Sequence, residues 1–539
     1  MSGAGHVALV LHAHLPYVRH PEHERPLEER WLHEALWESY LPLVALLDRL
    51  AAEGVSVALT LSISPPLAAM LSDDLLRARF GAHLERLERL ASHLLERGLV
   101  AAPLRPALAF YQRRLAAVHA AWDGLHGDVL AALRGHARAG RLELLTSTAT
   151  HAYLPGLLAS PASVRAQLRL GLRGFEAITG VRPRGLWLPE CAYAPPLGGD
   201  LAAAGVRFTI LDAHGLALAT PRPPCGVLAP VIAPSGVAFF GRDPDVARDV
   251  WSRQVGYPGD PWYREFYRDV GFDLGEDALL GELGPDGTRL MTGLKLHRVT
   301  GPGPHKEPYD PEAAAARARE HARHFVETRA AALGAVGAAG SSCPEPLLVA
   351  PFDAELFGHW WFEGPTFLEH VLRGLHASAR AGGLVATTLG GYLERFPEAA
   401  VAEPAASSWG EGGFGEVWAG PEAARLWRHV HHAERRVRDA VERRRHAGGL
   451  AGRALDQSIR ELMLLEASDW AFMMRRGEMT PYAEARVRAH AHRAGRLAEI
   501  ALAETPTMDD LAWVHAVGDR DRFLGELRGE GIRDAFDPW

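Results

Sequence analysis

An α/β fold closed as a β/α barrel is the architecture this sequence predicts, and three observations predict it. Short β-rich runs recur along the 539-residue chain, separated by long stretches with helical patterning. The runs are apolar throughout rather than alternating, which suits parallel strands covered on both faces. Chemically capable polar residues follow run after run, and in a β/α barrel the C-terminal ends of the strands form the active-site face.

The runs are Val7–Leu11, Val55–Ile63, Leu142–Leu145, Gly185–Leu188, Val206–Leu211, Val237–Phe240, Leu347–Ala350 and Leu384–Thr388. Behind them stand His12 and His14, then His151 in "TSTATHAY", Pro189-Glu190, Asp212 with His214, Arg242 with Asp243, and Asp353 with His359 in "PFDAELFGHWW". An open doubly wound sheet would gather its chemistry at one or two switch points. Polar groups spread over many strand ends favour a barrel. The arginine- and leucine-rich stretch 67–140 reads as a helical insertion between two barrel strands. Less regular is 256–340, whose "YPGDPWYREFY" and "GPGPHKEPYDP" read as long loops over a site. The barrel is assigned to 1–400. A helical domain is assigned to 401–539 and contributes to the cleft; the glycine-rich loop "SSWGEGGFGEVW" stands at its start.

Composition narrows the function. Net charge is −8, which argues against a nucleic-acid partner. Basic residues are nearly all arginine, with Lys295 and Lys306 the two lysines. The three cysteines, Cys191, Cys225 and Cys343, are far apart and odd in number, so they make neither a disulfide framework nor a zinc pattern; a cytoplasmic protein is expected. The N-terminal apolar run stops at Leu11 without a basic segment before it, unlike a signal peptide. No apolar stretch is long enough for a membrane span.

Two acids stand out. Glu190 has Trp187 and Tyr193 beside it; Asp353 has Phe352, Phe357, Trp360 and Trp361. Apolar surroundings raise a carboxyl pKa and let it hold a proton near neutrality. Glycoside cleavage needs one such acid and one ionised carboxylate across the bond. The bland alternative for each acid is an arginine partner, and Glu355 and Glu363 compete with Asp353. The H-x-H pair of His12 and His14 places two rings at one parity of an extended segment. With His151 these rings can donate to sugar hydroxyls. They can also serve, with His214 and Asp353, as ligands in a metal-dependent amidohydrolase. Tryptophans suit an oligosaccharide groove, since sugar C–H faces stack on flat rings. Trp31, Trp262, Trp360, Trp361, Trp409, Trp418 and Trp470 are the candidates, against core packing for about half of them. Asp469 in "LLEASDWAF" stands beside Trp470 in a helical stretch, where an inward-facing acid can hydrogen-bond a sugar hydroxyl; the alternative is a helix-surface aspartate.

Together these pieces resemble glycoside hydrolase family 57. "LVLHAHLPYVRHPE", "LLTSTATHAYLP", "WLPECAY", "PFDAELFGHWW" and "LLEASDWAF" look like its five motifs, and the agreement runs over most of the chain. Within the family, "TLGGYLERFP", "SSWGEGGFGEVW" and the helical C-terminal domain are similar to the 1,4-α-glucan branching enzymes. The resemblance implies a distorted, TIM-like (β/α)7 barrel with an inserted helical domain and an all-helical C-terminal domain. It implies no metal or other cofactor, an α-glucan substrate, and Glu190 and Asp353 as nucleophile and general acid/base. It further implies substrate contacts at Arg242, Gly259, Trp409, Asp469 and Glu478. His12, His14, His151, Trp262, Trp360, Trp418 and Trp470 complete the expected substrate-binding set. No membrane or nucleic-acid partner is expected, and a monomer is favoured. Retention predicts carboxyl groups about 5–5.5 Å apart. One departure stands: members of the subgroup usually carry a tyrosine on a loop over the site, and none lies between Gly215 and Gly256 here. Trp31 and Tyr257 are the candidates to compensate. The family alternatives are an α-amylase-like hydrolase and a 4-α-glucanotransferase; a catalytically dead glucan-binding barrel is the non-enzyme alternative.

Overall fold

Alternation within the first strand orients the barrel. The computed structural model describes residues 5–252, 254–284, 287–338, 343–477 and 479–539. Strand β1, His6–Ala13, is buried along its whole length. Ala8 and Val10 share an apolar cluster with Leu145, Trp187, Phe208, Ile210, Phe240, Leu347 and Val349, while Val7, Leu9 and Leu11 belong to a second, larger cluster. The first cluster fills the barrel and the second lies between the strands and the surrounding helices. A run that is apolar at both parities serves both.

The remaining strands are β2 (Leu59–Ile63), β3 (Leu142–Leu145), β4 (Phe208–Leu211), β5 (Val231–Ile232), β6 (Ala238–Gly241), β7 (Leu347–Asp353), β8 (Val385–Ala386) and β9 (Ala400–Val401). β1 pairs in parallel with β2 on one edge and β7 on the other, and β2 pairs in parallel with β3. Parallel bridges Thr146↔Leu186 and Gly185↔Phe208 insert the segment 185–188 between β3 and β4, and β4 pairs in parallel with β6. A backbone bond, Asp243 N–H to the Val349 carbonyl at 3.0 Å, links the end of β6 to β7. The ring closes in chain order as a (β/α)7 barrel. It is distorted because β5 runs antiparallel along β6, with β9 beside it, where β7 would otherwise pair.

Seven of the eight apolar runs are barrel staves. The eighth, 384–388, is a correction: only Val385–Ala386 is strand, and it caps the start of β1 at His6 and Val7. The insertion carries helices Pro65–Ser72, Asp74–Glu96, Arg105–Gly124 and Val129–Arg138 between β2 and β3. The Asp73 carboxylate caps the longest by accepting from Leu76 N–H. The less regular stretch 256–340 also holds a long helix, Pro311–Ala338, whose alanine-rich sequence favours helix without a strong apolar face.

Helices Ala424–Arg444, Gly449–Leu465, Ser468–Arg476, Thr480–Leu502 and Met508–Arg520 make up the C-terminal part. Buried polar contacts lock it to the barrel. Glu466 accepts from Ser163 Oγ and Gln167 Nε2, each at 2.8 Å, and Thr150 donates to the Met463 carbonyl. Ser468 N–H bonds the His151 carbonyl at 3.1 Å. This junction delivers Ser468 and Asp469 to the mouth of the barrel. Among the described residues no helix is long and apolar enough to cross a membrane.

Candidate active site

Strand parity decides what β1 contributes. His12 follows Ala8 and Val10 on the inward face and stacks on Trp187 at 4.4 Å between ring centroids. His14 has the same parity one step further out. His12 Nδ1 lies 3.2 Å from Ser62 Oγ and its Nε2 lies 3.0 Å from His151 Nε2. His151 Nδ1 lies 3.0 Å from Ser468 Oγ. Burial, then the neighbouring imidazoles, hold His12 and His151 well below the ordinary histidine range, so both are neutral. His14 differs. Burial opposes its charge, but the charge and hydrogen bond of Asp469, at 3.1 Å from Nε2, prevail and raise its pKa. Its Nδ1 meets Ser64 Oγ at 2.8 Å.

Glu190 sits on a strained turn beyond the stave 185–188. It has φ 64°, Cys191 has φ 48° and nearby His151 has φ 56°, a left-handed conformation uncommon without glycine. Such strain clusters where a side chain must be aimed. Glu190 Oε1 accepts from Ser468 Oγ at 2.7 Å and Oε2 from Trp409 Nε1 at 2.8 Å. Burial lifts its pKa to about 7 against these two bonds.

Asp353 ends β7, in register with His12 of β1. Its parity matches Leu347 and Val349, so it faces the barrel mouth. Burial, then the charges of Glu355 and Glu190, raise its pKa well above the carboxylate range, while Arg242 works the other way. Among the described residues no hydrogen bond reaches the Asp353 carboxyl, which leaves its proton available. The competing acid Glu355 is tied down: Tyr40 donates to it, as does His14 N–H at 3.2 Å, and its pKa is lifted to about 6 by burial. Glu363 accepts from Tyr309 and Arg264 N–H, away from this cluster.

The structure therefore gathers Glu190, Asp353, His12, His14, His151, Arg242, Trp409 and Asp469. Arg242 lies over the Trp409 ring at 5.8 Å and 3.7 Å from Asp212. Several expected sugar contacts need correction. His12 and His151 are 2% and 3% exposed with both nitrogens engaged by protein, so neither can donate to a substrate hydroxyl. Trp418 and Trp470 are core residues: Trp418 stacks on Tyr153 at 5.7 Å, and Trp470 donates to the Leu464 carbonyl at 2.8 Å. Trp262 and Trp360 are 45% exposed. Trp262 lies under Arg298, beside Arg317 and Glu320; Trp360 lies beside Trp251. Gly259 closes a short turn, Tyr257–Gly259. Glu478 lies outside the described residues. Tyr257 cannot stand in for the missing loop tyrosine, because it is buried with its hydroxyl 2.8 Å from His324 Nδ1. Trp31 packs edge-on against Tyr482.

The metal alternative fares poorly on geometry. His12 and His151 turn their Nε2 atoms towards each other, and His214 Nε2 contacts the Gly413 carbonyl at 2.6 Å, so the rings do not converge on one point. Among the described residues the one cluster with metal-like spacing is Glu461, His490 and Asp521, in the helical domain, where Arg493 bonds Asp521 at 2.7 Å. Sequence reasoning missed Ser468, Ser62, Ser64 and Tyr40. Ser468 stood in a quoted motif, directly before Asp469, and that adjacency was the available signal.

A barrel with two carboxyls of unequal proton affinity at its mouth defines a glycoside-processing enzyme of the two-carboxylate type. The comparisons agree. The profile described as glycosyl hydrolase family 57 matches residues 8–274, and one described as 1,4-alpha-glucan branching enzyme, C-terminal, matches 429–529. The chain is 34% identical to a 1,4-alpha-glucan branching enzyme of Thermococcus kodakarensis, over 92% of this chain and 73% of that one. Among solved structures it resembles an alpha-amylase, AmyC, of Thermotoga maritima (36% identity, TM-score 0.89, 98% and 99% of the two chains). It also resembles the branching enzyme of Pyrococcus horikoshii (33%, 0.87, 98% and 97%). This chain belongs to glycoside hydrolase family 57.

Proposed function

We propose that the chain is a 1,4-α-glucan branching enzyme that acts by double displacement. Glu190 attacks the anomeric carbon of an α-1,4-glucan while Asp353 protonates the departing oxygen. The glycosyl group is then esterified to Glu190. Asp353, now a base, takes the proton from a glucan 6-hydroxyl as that oxygen displaces Glu190, and an α-1,6 branch forms. The observation that carries this reading is the split between the two acids. Asp353 is pushed well above the carboxylate range and, among the described residues, has no hydrogen bond to hold it ionised, whereas Glu190 has two donors that stabilise its charge. Arg242, Asp469, Trp409 and the exposed Trp262 and Trp360 are the residues assigned to glucan contact; Gly259 and Glu478 stay in the set on resemblance. The substrate is an α-glucan, the setting cytoplasmic and the working form a monomer in this reading.

A hydrolase is the second reading, supported by the missing loop tyrosine and by the likeness to AmyC. The two separate on amylose. New α-1,6 linkages counted by proton NMR, against new reducing ends in the same samples, should show linkages in excess. Reducing ends in excess would mean that water takes the intermediate.

A further inference from the structure

Ser468 is the least explained group touching Glu190. An indole N–H can only donate, so the direction of the Trp409 bond is fixed. A serine hydroxyl has one hydrogen and two neighbours that can take it, Glu190 Oε1 at 2.7 Å and His151 Nδ1 at 3.0 Å. If Nδ1 is bare, one hydrogen must serve two acceptors, and whichever contact lacks it becomes one of lone pair against lone pair. If Nδ1 carries a hydrogen, Ser468 accepts it and donates to Glu190. The choice is set further back. Two Nε2 atoms of neutral rings meet at 3.0 Å, and one hydrogen lies between them. His12 Nδ1 in turn faces Ser62 Oγ at 3.2 Å.

We propose that Ser468 is a positioning residue for the nucleophile, held in its donating state by a one-directional hydrogen-bond chain from Ser62 through His12 and His151. Ser62 donates to His12 Nδ1, His12 Nε2–H to His151 Nε2, His151 Nδ1–H to Ser468 Oγ, and Ser468 O–H to Glu190 Oε1. Adding a proton to Glu190 reverses every link. The carboxyl then donates to Ser468, Ser468 to His151 Nδ1, His151 Nε2–H to His12 Nε2, and His12 Nδ1–H to Ser62, with one hydrogen gained overall. In the forward state the hydroxyl points at the oxygen where charge returns as Glu190 leaves the glycosyl ester, so it favours departure of the sugar to its acceptor. The inference rests on the reading of Glu190 as nucleophile.

The other groups facing Glu190 are Asp353 from β7, His14 from β1, His151 and Tyr153 after β3, and Asp469 from the helical domain, with Arg242 beside Asp353. None is itself substituted in Ser468→Ala or Ser468→Thr, though His151 Nδ1 loses its serine partner in the alanine variant. The pH dependence of kcat/KM is compared for wild type and both variants. Ser468→Ala should move the acid limb upward, with a loss of about tenfold or more on the acid side and convergence on the alkaline plateau. Ser468→Thr should restore the limb. A uniform loss at all pH values, or a loss that Thr fails to rescue, would overturn the proposal. The second readout is wild type labelled with ¹⁵N-histidine, the two rings assigned by their loss in His12→Phe and His151→Phe. Above the acid limb His151 should be the Nδ1–H tautomer and His12 the Nε2–H tautomer, both switching as Glu190 is protonated. A His151 Nε2–H tautomer above the limb would refute the chain even if a variant failed to fold. Azide separates this from failure of the underlying reading. Glu190→Ala rescued by azide, with a glycosyl azide of inverted configuration, upholds the nucleophile whatever Ser468 does; an inverted glycosyl azide from a different acid variant sinks both.

Discussion

Glu466→Gln tests the electrostatics that joins the helical domain to the barrel. Glu466 is 2% exposed, burial lifts its pKa to about 8, and the Glu434 charge adds to the rise. A folded-state pKa above the unfolded value of 4.5 means that the folded protein holds the proton more tightly. Stability is therefore fully present at low pH and is lost as pH rises between these two values. At about 1.36 kcal/mol per unit, the group alone removes about 2.5 kcal/mol between pH 5 and pH 7. Glutamine cannot ionise. Its carbonyl still accepts from Gln167, and Ser163 can turn to accept from its amide. Urea denaturation of both proteins at pH 5, 7 and 8 is the assay. The variant should match wild type at pH 5 and exceed it by a margin that widens with pH. Parallel stability curves would refute the account, because they would show Glu466 no harder to ionise folded than unfolded.

Three further outcomes are expected. Trp409→Phe removes one charge-assisted bond from Glu190, worth about 1.5–3 kcal/mol, so the acid limb of kcat/KM should rise by roughly one to two units. An unmoved limb in a pH profile would show that the indole N–H does not hold the carboxylate. Asp353→Asn should cut kcat/KM on amylose by about 10²–10⁴-fold yet spare most of the first step on a glycosyl fluoride, whose leaving group needs no proton, read as the initial burst of fluoride release; equal losses on both would deny Asp353 the acid role. Gly358→Ala should destabilise by about 3 kcal/mol or more, read as a fall in Tm, because its φ is +127° and a Cβ would sit 1.9 Å from the Glu38 carbonyl oxygen.

The barrel was legible because buried parallel strands are apolar at both parities, and each stave ends at a polar residue that the interior cannot hold. The end of β7 shows the limit. The apolar run stops at Ala350, but the strand continues through Pro351 and Phe352 to Asp353, since an inward acid at the mouth does not break pairing with His12. The two carboxyls were legible from their aromatic settings. The histidines were legible as a cluster but not as a chain: their partners Ser62 and Ser468 lie on other elements, and serine carries no distinctive pattern in sequence. The aromatic assignments failed where a loop-like sequence hid packing. Trp418 stands among glycines, yet its ring lies against Tyr153, and Trp427 donates to its carbonyl at 2.9 Å. The 28-residue helix Pro311–Ala338 was not singled out within the less regular stretch 256–340, because its alanines give propensity without a strong apolar face.

The central claim is that Glu190 becomes covalently attached to the sugar. A fluorinated glycosyl fluoride that forms the intermediate but releases it slowly traps that state, and peptide mapping by mass spectrometry locates the label. The account predicts a single labelled peptide containing Leu188–Tyr193, with the mass added at Glu190. A label at Asp353 or Glu355, or an enzyme that turns the reagent over with inversion and never becomes labelled, would contradict it.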